Sequence, residues 1–280
     1  MENENALHVM LHPESVKLAE EVGLLREELI RLLQEREDLV SVVIPNLEAV
    51  YYMAIGRYQY DLFRLECGVR RIKRKIEIVQ TALNRKEKVE MDQVEKKLDL
   101  EQAAWTTLID EMAHKLELAK QLISAEKLSD EARKEIRRFY YELAKKVHPD
   151  IHHEQSERLN SLWLQIATAY KNGNLEGMKA LALVLEDDET DLETSNGNDL
   201  KDQRERLKKQ LEQQALGLAT LQQAFPYTIR EQLGDPDWVD AQVAEIIKKQ
   251  DLQAERMKQL LLVLDSVAEE SENGEQPSCN

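Results

Sequence analysis

Apolar residues recur along this chain in steps of three and four and almost never alternate, which puts them on one face of successive helices. Over residues 15 to about 43, Val22, Leu25, Leu29, Leu32, Leu39 and Val43 follow a heptad interrupted only by Arg36. Pro45 is expected to break or kink that helix, since proline lacks an N–H and crowds the preceding turn. A second helix, residues 46 to about 88, carries the cleanest seam: Leu62, Leu65, Val69, Ile72, Ile76, Val79 and Leu83. Spacing of three and four sustained over three heptads is a coiled-coil signal. Val94, Leu98, Trp105, Leu108, Met112, Ala119 and Ile123 continue the pattern to about residue 127. A helical hairpin or three-stranded bundle fits residues 15–117, either within one chain or as a homodimer through the coiled coil. Towards the C-terminus, Leu207, Leu211, Ala215, Leu218 and Leu221 form one amphipathic helix. Val239, Val243, Ile246, Met257, Leu260 and Leu264 form another, so a helical hairpin is expected over 205–265.

Composition narrows this to an all-α fold. The 280 residues include 9 glycines, 6 prolines and 5% aromatics against 33% charged residues, a balance that suits long helices rather than sheets. Residues 186–202 hold eight acidic residues and one lysine, so 187–204 reads as a flexible acidic linker. Residues 1–14 read as a flexible arm and 266–280 as a disordered tail. No run approaches the ~18 apolar residues of a membrane span; the longest is 49–55. The N-terminus lacks the basic start and apolar core of a signal peptide. Cys67 and Cys279 lie far apart, and free thiols in a reducing cytoplasm are the simple expectation. A net charge of −16 argues against general nucleic-acid or anionic-membrane binding.

One stretch departs from the repetitive background. Residues 140–150 read YYELAKKVHPD, and Tyr140, Leu143, Ala144 and Val147 fall on one helical face. Ser129 or Asp130 is placed to cap the start of this helix. Arg137, Arg138, Lys145 and Lys146 lie mostly off the buried face and make a positive stripe. Pro149 ends the helix, because the residue before a proline is driven out of the α conformation. His148 and Asp150 are therefore expected at an exposed corner. A charge stripe is also the ordinary look of a solvated face, and a loop histidine can simply make a local hydrogen bond. His148, His152 and His153 admit a metal-cluster reading, although Pro149 keeps His148 and His152 off one helical face and no cysteine completes a site. Arg70, Arg71, Lys73, Arg74 and Lys75 admit a nucleic-acid reading, but they interleave with the Val69–Ile72–Ile76 seam as a solvated coiled-coil face does.

Residues 136–170 resemble the second and third helices of a J-domain, the module of DnaJ-type co-chaperones. Ile136, Tyr140, Leu143, Ala144 and Val147 match the family's core positions in the second helix. Trp163, Ile166, Ala169 and Tyr170 match the apolar spacing of the third, and the distance from Asp150 to Trp163 suits the intervening loop. Two features depart from the family. The window before Ile136 reads KQLISAEK and lacks the usual tyrosine and Leu-Gly pair, so the first J helix is expected to be the end of the preceding long helix, packing through Leu118, Leu122 and Ile123. Tyr141 and Glu142 stand where basic residues are commoner. The resemblance implies a J-like antiparallel helix pair within 118–186 that binds a DnaK-type heat-shock chaperone and stimulates its ATP hydrolysis. His148, Pro149 and Asp150 would be the loop contacts, and Arg137, Arg138, Lys145 and Lys146 the docking face; a client protein is implied but not identified.

No phosphate-cradling glycine loop, Gly-x-Ser-x-Gly or His-Glu-x-x-His is present, so no catalytic residue, metal ligand or cofactor is expected. The alternative to a co-chaperone is a structural coiled-coil scaffold in which the J-like segment serves as packing.

Overall fold

A computed structural model describes residues 13–124, 129–152, 156–186 and 197–273. Among these the fold is all-α, without strands. The first helix, α1 (Pro13–Asp38), passes into a π turn (Leu39–Val43), and helical conformation continues through α2 (Ile44–Tyr51), a second π turn (Tyr52–Gly56) and α3 (Arg57–Asn84). There follow α4 (Met91–Ser124), α5 (Asp130–Val147), α6 (Glu157–Lys171), α7 (Leu175–Glu186), α8 (Gly197–Gln222), the short α9 (Arg230–Leu233) and α10 (Pro236–Asn273).

Pro45 does not break the first helix. The π turn just upstream of it absorbs the misfit: Ile44 donates its N–H to the Leu39 carbonyl, five residues back, widening the turn where a proline would otherwise crowd the carbonyl of residue 41. One 18-residue stretch of the long helix has a mean hydropathy of 1.5, although its longest unbroken apolar run is still residues 49–55. By length and composition the helix passes as a membrane span, as core helices also do; its most apolar stretch, residues 39–56, is interrupted by Ser41, Pro45, Asn46 and one charge, Glu48.

The chain forms two compact units, Met1–Pro45 with Glu126–Thr228, and Asn46–Ala125 with Ile229–Asn280. In the first, Val22, Leu29, Ile30 and Leu33 of α1 join Ile136, Tyr140, Leu143 and Val147 of α5, Leu162, Ile166 and Tyr170 of α6, and Met178 and Leu185 of α7 in one core. Along α1 lies α8, in the same direction, since bonded partners advance together from Arg26–Gln203 to Arg36–Gln214.

In the second unit, α3 is the central helix. It carries α4 antiparallel through Lys75–Glu95 and Arg71–Asp99 and α10 alongside, where Gly68 leaves room for the Met257 methyl group. Val69, Ile76, Val79, Val94 and Leu98 are buried, as the seam predicts. The two C-terminal helices thus exist as expected, but the main partner of each is an N-terminal helix rather than its neighbour in sequence. Two boundaries also move. Helix α10 continues past residue 266 with Val267 buried, and α8 begins inside the expected linker, where Arg204 pairs with Glu21 at 3.5 Å; residues 187–196 lie outside the described residues.

Candidate functional site at the His-Pro-Asp turn

Helix α5 starts where Ser129 Oγ accepts the Ala132 N–H at 3.1 Å, with Asp130 and Glu131 suiting the positive end of the helix dipole. Its buried face is Ile136, Tyr140, Leu143, Ala144 and Val147. His148 closes it by donating its N–H to the Ala144 carbonyl at 2.9 Å, and then turns extended (φ −73°, ψ 128°), as the following proline demands. The His148 carbonyl accepts the Ile151 and His152 N–H groups, each at 3.0 Å. Ser156 Oγ then caps α6 through the Leu159 N–H at 3.3 Å. The two helices run antiparallel, with Tyr140 against Tyr170 (ring centroids 4.3 Å) and His148 against Trp163 (4.2 Å). Ile166, Ala169 and Tyr170 are buried and Trp163 half-buried. The core residues Leu162, Ile151 and Met178 were not singled out by the sequence pattern.

His148 is not exposed. Its residue is 6% accessible, its Nδ1 accepts the Asp150 N–H at 3.0 Å, and its edge meets the Trp163 ring. Burial, with a smaller contribution from His152, pushes its pKa down to about 4, because a charged imidazole would have to shed its water there. The corner expected from Pro149 does form, but Trp163 of α6 fills the space beside the ring. Pro149 and Asp150 are half-buried.

The four cations are placed unequally. Arg138 is 62% accessible and 3.8 Å from Glu142. Arg137 Nε lies 3.0 Å from Asp38 Oδ2 at the end of α1, and its carbonyl accepts from Gln34 Nε2 at 3.0 Å. Lys145 is 3.7 Å from Glu27 and still 60% accessible. Lys146 donates to the Leu185 carbonyl at 3.4 Å. Asp38 also accepts the Tyr170 hydroxyl, so one carboxylate joins α1, α5 and α6. The Tyr170 hydroxyl has its pKa raised, first by burial and then by the Asp38 carboxylate.

Asp150 has a partner far away in the chain. Gln214 of α8 donates its Nε2 to Asp150 Oδ2 at 3.2 Å, while its Oε1 accepts from Arg36 at 3.3 Å. Neither Gln214 nor Asp38 was singled out by the sequence. Arg36 was visible there only as the polar residue that interrupts the α1 heptad.

The segment expected to supply the first J helix does not do so. Leu118, Leu122 and Ile123 of α4 are exposed, and α1 packs on α5 instead. His148 and His152 are both occupied, the latter through Nε2 and the Lys145 carbonyl at 2.8 Å; His153 lies outside the described residues. In the second unit Arg71, Arg74 and Lys75 pair with Glu95, Asp99 and Glu101 of α4, and Arg70 sits over Trp105 at 5.1 Å. Compensation by facing acids is how a coiled-coil flank is built. Cys67 is buried, which pushes its thiol pKa up. No family model, curated protein or solved structure matches the chain.

Proposed function

We propose that this protein is a J-domain-type co-chaperone that engages a DnaK-type heat-shock chaperone through the His148-Pro149-Asp150 turn and stimulates its ATP hydrolysis. The observation that carries the reading is the turn itself: an extended His-Pro-Asp corner pinned between two capped antiparallel helices, with a cationic flank leading into it. Arg138 and Lys145 keep most of their surface in solvent, as steering towards an acidic partner surface requires. His148 acts from within the fold, by accepting the Asp150 N–H and so fixing where the Asp150 carboxylate stands. The covalent chemistry belongs to the partner.

The experiment is single-turnover ATP hydrolysis by a purified DnaK-type chaperone with and without this protein. The wild type accelerates it. Arg138→Glu and Asp150→Asn weaken the effect about tenfold or more without lowering the melting temperature, because Arg138 is solvated and the Asp150 change is isosteric. If the wild type is inert in this assay, the reading is wrong. A second reading, a helical scaffold that uses the turn as packing, draws on the burial of His148 and the bond from Gln214 to Asp150. Under it, neither the wild type nor Arg138→Glu changes the rate of ATP hydrolysis by the chaperone.

A further inference from the structure

We propose that α8 is a latch on the His-Pro-Asp turn, holding the Asp150 carboxylate through Gln214 and releasing it when α8 lifts from α1. The proposal rests on the co-chaperone reading. Both ends of the Gln214 amide are used: Arg36 donates to its oxygen at 3.3 Å, which aims its nitrogen at Asp150, 3.2 Å away. An incoming chaperone that needs the Asp150 carboxylate must first displace that donor.

The choice of moving part follows from packing. Helix α1 gives the core Val22, Leu29, Ile30 and Leu33, and its Asp38 ties Arg137 to Tyr170; removing it would open the α5–α6 pair. Helix α8 gives the same core one deeply buried residue, Leu207, with Leu200 and Leu211 only partly buried. Beyond that core α8 also buries Leu218, and its polar attachments to α1 are partly solvated: Lys208 and Arg204 to Glu21 at 3.0 and 3.5 Å, and Arg26 to Gln203 at 3.0 Å. Such contacts are individually weak and salt-sensitive. Removing α8 costs its own contacts alone, whereas removing α1 costs the α1–α8 packing and four residues of the α5–α7 core as well. Helix α8 is therefore the cheaper part to move, and apparent partner affinity scales with the fraction of molecules in which it is lifted.

The test compares full-length wild type, Gln214→Ala, and Gln214→Ala combined with Arg204→Glu and Lys208→Glu in the chaperone ATPase assay, with Arg138→Glu as the docking control. Each protein is also melted to confirm that its core is intact. Removing the latch lowers the concentration needed for half-maximal stimulation about five- to tenfold, and the triple variant lowers it at least as far. The wild type approaches the variants as salt is raised, apart from the general loss of steering that Arg138→Glu reports. If wild type and both α8 variants need the same concentration while Arg138→Glu needs more, α8 is no latch and the co-chaperone reading stands. If a folded Gln214→Ala stimulates less than wild type, Gln214 serves docking and the latch is overturned. If no protein stimulates, the co-chaperone reading fails and the latch with it.

Discussion

A neutral imidazole is what the site of His148 accepts. The Asp150 N–H points at Nδ1, so the ring carries its proton on Nε2, and a second proton would remove the acceptor that shapes the turn. The folded pKa of about 4 lies below the ordinary 6.5. Between those values the unfolded chain binds the extra proton and the folded one does not. The contribution of His148 to stability is therefore fully present above pH 6.5 and is lost as pH falls towards 4, on a scale of about 3 kcal/mol. Replacing it with Asn keeps an acceptor near Nδ1 but removes the titration. The gap in urea-unfolding free energy between wild type and His148→Asn should shrink as pH drops from 7 to 4.5, other carboxylates cancelling in the difference; a gap that stays constant sinks this account. The buried face of α5 was legible in the sequence because it is a local periodicity. The burial of His148 was not, because Trp163 reaches it from another helix whose placement no local pattern encodes.

At the scale of elements, the Asp38 carboxylate is the joint that matters. It receives Arg137 from α5 and Tyr170 from α6 while only 19% accessible itself. Replacing Asp38 with Ala leaves a partly buried guanidinium and hydroxyl without their acceptor, a loss of about 2–4 kcal/mol. Tyr170→Phe alone costs about 1 kcal/mol. Combined, the two changes should be non-additive by about 1 kcal/mol in a denaturant-melt cycle; strict additivity would mean that the hydroxyl does not bond to Asp38 in solution. Helices of this kind were readable from their spacing, caps and charges. The seam of α3 was read correctly at Val69, Ile76 and Val79, while Leu62, Leu65, Ile72 and Leu83 are only half-buried and Cys67, outside the seam, is buried. Their pairings were less so. A heptad on α1 announces that something covers it without saying whether that partner is the next helix or one nearly 180 residues later. Pro45 leaves the helix unbroken because, although proline breaks a strictly α ladder, a π turn reroutes the hydrogen bonds around it.

For the molecule as a whole, the segment that resembles a J-domain is incomplete without the N-terminus. Leu29, Ile30 and Leu33 are buried in the core shared by α5, α6 and α7. At about 1.5–3 kcal/mol for each large apolar side chain, their removal approaches the whole stability of an ordinary domain. Residues 118–186 expressed alone are expected to show a collapsed, poorly dispersed amide spectrum and no cooperative melt, both restored when residues 13–45 are linked back. A sharp spectrum from the short fragment would show that α1 is dispensable. Consecutive modules were the natural expectation from a sequence with an acidic stretch at 186–202. Contacts between distant segments divide the chain otherwise, with each unit built from two separated pieces.

The distance between Asp150 and Gln214, 64 residues along the chain, also gives the turn a history on the ribosome. At about 5–20 residues per second, the His-Pro-Asp corner is synthesised roughly 3–13 seconds before the side chain that holds it. Helices α1, α5 and α6 are by then complete. A nascent chain therefore passes through an interval with its core largely assembled and its Asp150 carboxylate open. On the co-chaperone and latch proposals, newly made molecules should engage a DnaK-type chaperone more readily than mature ones.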